Sequence, residues 1–262
     1  MATFSRSDDL QGAEFKNANL QGAEFVSANL SGARFVEADL SGVVMRGVEV
    51  READIDAPWL PDGDSFFRVN GVDVIPYVEA ELDRRFPGRA DRRASDPDGL
   101  RAAWAALERT WAATLERAAA MPAGTVDVSV AGEWSFAQTL RHLVLATDTW
   151  LGRATLELEQ PYHPLGLANP SAEEDGLDMS VFVTTKPSYD EVLEARADRV
   201  AMVRDYLATI TADMLPTPRK NPHAPQYPET VLSCLHVILE EEWEHHRYAV
   251  RDLDTIESNP TT

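Results

Sequence analysis

Residues 228–257 read PETVLSCLHVILEEEWEHHRYAVRDLDTIE. A seam runs down this stretch through Leu235, Leu239, Glu242, His246, Ala249, Leu253 and Ile256, in alternating steps of four and three. That period predicts a helix with one buried face. Two members of the seam are polar. A carboxylate and an imidazole among apolar neighbours cost on the order of several kcal/mol unless they are paired or bound to a metal. Their i, i+4 spacing sets the Cβ atoms about 6 Å apart, a gap that two ligands of one ion can bridge. A buried Glu–His hydrogen bond that only fixes helix packing explains the pair equally well.

Working outward, three more helices are expected. Leu100 to Ala120 carries Trp104, Leu107, Trp111 and Leu115 at spacings of three and four, with Asp96-Pro97-Asp98 as its start and Met121–Gly124 as its stop. Trp134 to Leu158 follows with Ser135 as its cap, then Ser188 to Ala212, capped by Ser188. The fold class is therefore mainly α, a four-helix bundle over 95–257. Its long 159–187 connection departs from simple up-down-up-down topology. Residues 58–94 form a connector with turn-rich Pro58–Asp64, an extended Gly71–Tyr77 and a short helix from Val78 to Phe86. Arg84, Arg85, Arg89, Arg92 and Arg93 make a basic patch within it, best read as an internal docking surface for an acidic body.

Two motifs in the bundle resemble the DinB-like family. GEWSFAQTLRHLV at 132–144 is similar to that family's second helix, and EEWEHHR at 241–247 to its fourth-helix H-x-x-x-H segment. The resemblance implies a metal held by His142, Glu242 and His246, with zinc first and nickel second. Glu242 in place of a histidine points to the branch that includes mycothiol-dependent maleylpyruvate isomerases. The implied activity is a metal-dependent S-transferase or isomerase acting through a low-molecular-weight thiol, mycothiol, on a small electrophile. A composition rich in Arg and Ala fits a high-GC actinobacterial source. The alternative is a non-catalytic metal-binding adaptor. His142 lies at the edge of its own helix's stripe (Leu140, Leu143, Thr147, Leu151), so only the resemblance selects it. His245 points about 100° away from His246 and reads as a flank. His163, His223 and His236 are read as structural, Trp150 and Trp243 as core, and Arg196, Arg199 and Arg204 as paired with acids.

A different period governs the first residues. From Asp8 the chain divides every five residues, with Leu10, Phe15, Leu20, Phe25, Leu30, Phe35, Leu40, Met45, Val50 and Ile55 at the centres. Five fits neither a helix nor a strand. The segment 6–57 resembles pentapeptide repeats, which implies a short right-handed quadrilateral β-helix of about two and a half coils with its centres turned inward. The repeats then serve as a structural or interaction surface.

Composition narrows the partners. Of 262 residues, 44 are Asp or Glu and 24 Lys or Arg, a formal net charge of −20. Such a surface repels phosphate backbones and anionic membranes, so neither nucleic acid nor membrane is expected as a partner. With Cys234 as the single cysteine, no disulfide can form within the chain. No apolar run spans a bilayer and no signal-peptide pattern opens the sequence. A cytoplasmic monomer or homodimer is expected.

Overall fold

The computed structural model describes residues 3–5, 8–60, 65–169, 172–173 and 177–259. Two compact units emerge, one ending at Ile55 and one beginning at Asp56.

In the first unit the backbone turns every five residues. Gly12, Asn17, Gly22, Ser27, Gly32, Glu37, Gly42, Gly47 and Glu52 all sit at φ between 50° and 76°. The Ala13, Ala23 and Ala33 N–H groups donate to the carbonyls of Leu10, Leu20 and Leu30 at 2.9–3.0 Å. Glycine at the third position of these turns supplies the positive φ that a type II turn demands. Asp9, Asn19, Asn29 and Asp39 each accept from the backbone N–H two residues on, at 2.9–3.0 Å, which locks the turn from its own side chain.

The corners of the expected coil are therefore present, but its inward burial is not. Leu10, Leu20, Leu30 and Leu40 are 44–48% exposed and Phe15, Phe25 and Phe35 are 57–59% exposed. Stacked coils would cover the middle units more than the end ones, and here all are alike. No strand pairing occurs among residues 8–55. The turns need only side chains within their own unit, whereas stacking needs a partner coil twenty residues away, and so short a stub supplies few of these. Leu30→Ala should accordingly change the stability of the full chain by less than about 0.5 kcal/mol. Leu140→Ala, at a fully buried site, should cost about 2–5 kcal/mol. Urea unfolding of both variants checks the contrast.

The second unit opens with a hairpin, β1 (Arg68–Val69) against β2 (Val72–Asp73). Helix α1 (Ile75–Arg85) starts earlier than expected because Pro76, with its fixed φ, occupies the first turn. After a 3-10 turn at Arg89–Arg93 come α2 (Pro97–Ala120) and α3 (Phe136–Thr147), which continues as a π-helix over Asp148–Thr155. Then follow α4 (Tyr189–Thr209), a hairpin of β3 (Pro218–Lys220) with β4 (Pro228–Thr230), and α5 (Val231–Ser258). Side-chain caps begin the bundle helices: Asp96 for α2, and capping boxes at Ser135–Gln138, Ser188–Glu191 and Thr230–Ser233.

Helix α3 packs on α4 and α5, and α2 packs on the same two. Leu100, Leu107, Leu140, Leu143, Leu235, Trp243 and Leu253 fill the space between them. No helix among the described residues is long and apolar enough to cross a membrane. Of the basic patch, Arg89 and Arg92 dock inward, whereas Arg84, Arg85 and Arg93 stay exposed. Buried Arg89 meets Glu79 at 2.9 Å, Asp83 at 2.7 Å and Glu244 of α5 at 3.4 Å. Arg92 joins Glu79 and Glu240, which fastens α1 and its turn to the back of α5.

Candidate metal centre

Helix α5 holds two overlapping E-x-x-x-H pairs one residue apart, Glu241/His245 and Glu242/His246. The seam pair faces the bundle interior, at 1% and 4% exposure. There Glu242 accepts from Arg196 Nη2 of α4 on both oxygens, at 2.6 and 2.5 Å. His246 Nε2 pairs with Thr114 Oγ1 of α2 at 2.8 Å. The rings of Trp111, Phe86 and Trp243 meet His246 nearly at right angles, with centroids 5.1–6.0 Å away.

His142 of α3 meets the other pair. One ligand atom from each of His142, Glu241 and His245 lies within 4.8 Å of the others. His142 Nε2 stands 3.5 Å from Glu241 Oε2, and His245 Nδ1 is 3.3 Å from the same oxygen. The structure therefore does not gather His142, Glu242 and His246. It gathers His142 with the neighbours of the last two, and His245 is no mere flank. The seam pair is held by the helices it faces, with His246 Nδ1 alone left without a partner; the residues one step around α5 stand at 13–16% side-chain exposure, within reach of solvent.

The cluster is oriented from behind. A carbonyl can only accept, so the 3.1 Å contact of His142 Nδ1 with the Leu167 carbonyl places the proton on Nδ1 and leaves the Nε2 lone pair facing the cluster. By the same logic His245 Nδ1 donates to the Glu241 backbone carbonyl at 2.9 Å, which frees its Nε2. Burial, helped by the charge of His142, pushes the His245 pKa down to about 4, so its imidazole is neutral at pH 7. Burial also pushes the Glu241 carboxyl up, but its contacts with His142 and His245 outweigh it and hold the group below its usual value. Trp134 lies against His142 at 4.7 Å and stacks on His245 at 6.4 Å, and Tyr248 meets His245 edge-on at 5.6 Å.

Two imidazoles, that of His245 neutral at pH 7, and one carboxylate held below its usual pKa, with second partners fixing both rings, form a donor set that suits zinc and leaves a coordination position open. No equivalent group of three exists elsewhere among the described residues.

The remaining polar residues are engaged in structure. Arg196, Arg199 and Arg204 pair with Glu242, Asp148 and Glu108. His236 Nε2 meets the Ala94 carbonyl at 2.9 Å, and Trp150 and Trp243 are core.

His246 gives a pH prediction. Burial lowers its pKa to about 4 from the 6.5 of an exposed histidine. The unfolded chain therefore binds the extra proton first, and stability falls as pH drops from 6.5 towards 4. Between pH 7 and pH 5 this group should account for about 2 kcal/mol. Urea unfolding at the two pH values, with and without His246→Asn, reads that difference.

A family model described as DinB superfamily matches residues 106–249, and one described as pentapeptide repeats matches eight copies over 9–47. No curated protein and no solved structure matches the chain.

Proposed function

The chain belongs to the DinB superfamily, and on that premise we propose that His142, Glu241 and His245 hold one divalent ion, zinc first and nickel second, for S-transfer or isomerisation through an external thiol. The observation that carries this reading is the convergence of His142, Glu241 and His245, with one ligand atom of each within 4.8 Å of the others, at a partly exposed edge of the bundle. When bound, such an ion lowers the pKa of a coordinated thiol so that the nucleophilic thiolate exists at neutral pH.

The chain's own residues do the rest. Helix α5 fixes Glu241 and His245 on one face through their i, i+4 spacing. Leu167 holds His142 in the tautomer that presents Nε2. Trp134 and Tyr248 flank the rings and restrict water around them. The thiol has to come from outside, because Cys234 is fully buried and burial pushes its pKa up to about 11. Mycothiol is the cosubstrate we propose. Its S–H proton is lost, and the thiolate sulfur adds to a carbon of an activated double bond, whose π electron pair takes up a proton at the neighbouring carbon; elimination of the thiolate returns the double bond in the isomerisation.

The exposed centres of the repeats favour a second reading, a metal-bound adaptor whose repeat surface receives a partner. A thiol-consumption screen of the zinc-loaded protein, with mycothiol and a panel of electrophiles, separates the two. Turnover that disappears in His142→Ala supports the enzyme. A protein that binds stoichiometric zinc, consumes no thiol and converts none of the electrophiles when mycothiol is present supports the adaptor.

A further inference from the structure

On a different face of the bundle from His142, Glu241 and His245, α2 and α4 part to leave a groove of about 270 Å³. Its size is near the lower end of small-molecule pockets, which start at roughly 300 Å³. None of the three candidate metal ligands lines it. Leu107, Leu115, Leu193 and Val200 form apolar walls, and the rim carries the Arg204–Glu108 ion pair at 3.1 Å.

The polar residues lining this groove are unusual. Arg196 is 4% exposed and gives Nη2 to both oxygens of Glu242, while its Nη1 has no partner. Trp104, 2% exposed, also leaves its indole Nε1 without an acceptor. Trp111 Nε1 is near enough to Glu242 to lower its pKa yet closes no hydrogen bond. A buried donor without an acceptor costs about 1–3 kcal/mol, so unpaired donors along an apolar groove call for an acceptor from outside the chain.

Charge then selects the acceptor. Arg196 and Glu242 already neutralise each other, so a carboxylate would leave one uncompensated negative charge against apolar walls, on a chain of net charge −20. A cation finds both Glu242 oxygens taken. We propose that the α2–α4 groove is a second binding site, for a small apolar molecule that ends in an uncharged carbonyl, with Arg196 Nη1 and Trp104 Nε1 as its donors. None of the three candidate metal ligands lines this site, so it stands whether or not the thiol chemistry does.

The test is calorimetric titration of the full chain, both zinc-loaded and metal-stripped, with four probes of similar size: butyrophenone, butylbenzene, 4-phenylbutyrate and 4-phenylbutylamine. Butyrophenone should bind about five- to tenfold more tightly than butylbenzene, the worth of one hydrogen bond to a buried donor. It should also bind more tightly than either charged probe, with or without the metal. Trp104→Phe should shrink the preference for ketone over hydrocarbon and leave butylbenzene unchanged. Ala197→Trp, at an exposed alanine lining the groove, should abolish binding of all four, with helicity confirming that both variants are folded. Absence of ketone binding, equal affinity for ketone and hydrocarbon, or tighter binding of the carboxylate would overturn the proposal. So would a ketone preference that Trp104→Phe leaves undiminished, or titrations that Ala197→Trp leaves unaltered.

Discussion

Replacing His245 with alanine is expected to strip the protein of stoichiometric metal, whereas His246→Ala is expected to keep it. His245 shares its ligand face with Glu241 and His142, and with one of three ligands gone the remaining pair holds an ion only weakly. Even residues that merely orient a ligand cost about 10–100-fold in affinity when lost. The loss of His245 itself should be at least hundredfold. His246 faces Thr114 and three aromatic rings inside the bundle, so its removal opens a cavity and lowers stability without touching the ligand set. Zinc content after gel filtration, with circular dichroism to confirm folding, reads both. Equal loss in the two variants, or loss in neither, would mean that the ligands lie elsewhere.

The second large effect concerns Arg196. Replacing it with methionine leaves the Glu242 carboxylate buried with no cationic partner, and breaking a buried ion pair from one side costs about 3–5 kcal/mol. Burial already raises the Glu242 pKa even against the attraction of Arg196. In the variant that carboxyl should take up a proton more readily still, so the deficit should shrink as pH falls. Removing both partners, Arg196→Met with Glu242→Leu, should recover most of the loss, since apolar residues of similar volume often replace a buried pair at little cost. Urea unfolding of the single and double variants measures this. A single-variant cost below about 1 kcal/mol would show that the pair is not what satisfies Glu242. The seam carboxylate would then be open to another role.

The same two positions show how far the sequence could be read. The period of α5 correctly marked Leu235, Leu239, Ala249 and Leu253 as inward, and Ser135 and Ser188 were legible as caps because their hydroxyls sit three residues before Gln138 and Glu191. The sequence reading placed the ligands at Glu242 and His246, one residue further inward than the pair that meets His142 in the structure. Periodicity finds the most buried polar groups, and on α5 these are the ones for which α2 and α4 supply partners. A metal that must meet a substrate needs ligands at the edge of the seam. His142 gave that signal, since it too lies at the edge of its helix's stripe. Matching edge to edge selects Glu241 and His245.

Other departures have equally local causes. The backbone of α3 widens into a π-helix after Thr147, where Thr155 Oγ1 donates to the Trp150 carbonyl five residues back, and hydrophobic period carries no trace of that change. In the repeats, the turns were legible because Asx and glycine positions specify them locally. The stacking expected of the coils depends on contacts twenty residues away, which a five-residue motif does not encode.

Diffraction at the zinc absorption edge from crystals of the zinc-loaded full chain tests the central claim most directly. The account predicts one anomalous peak per chain, bonded to His142 Nε2, the Glu241 carboxylate and His245 Nε2. A peak bonded to Glu242 or His246, or one that touches none of the three, would contradict it.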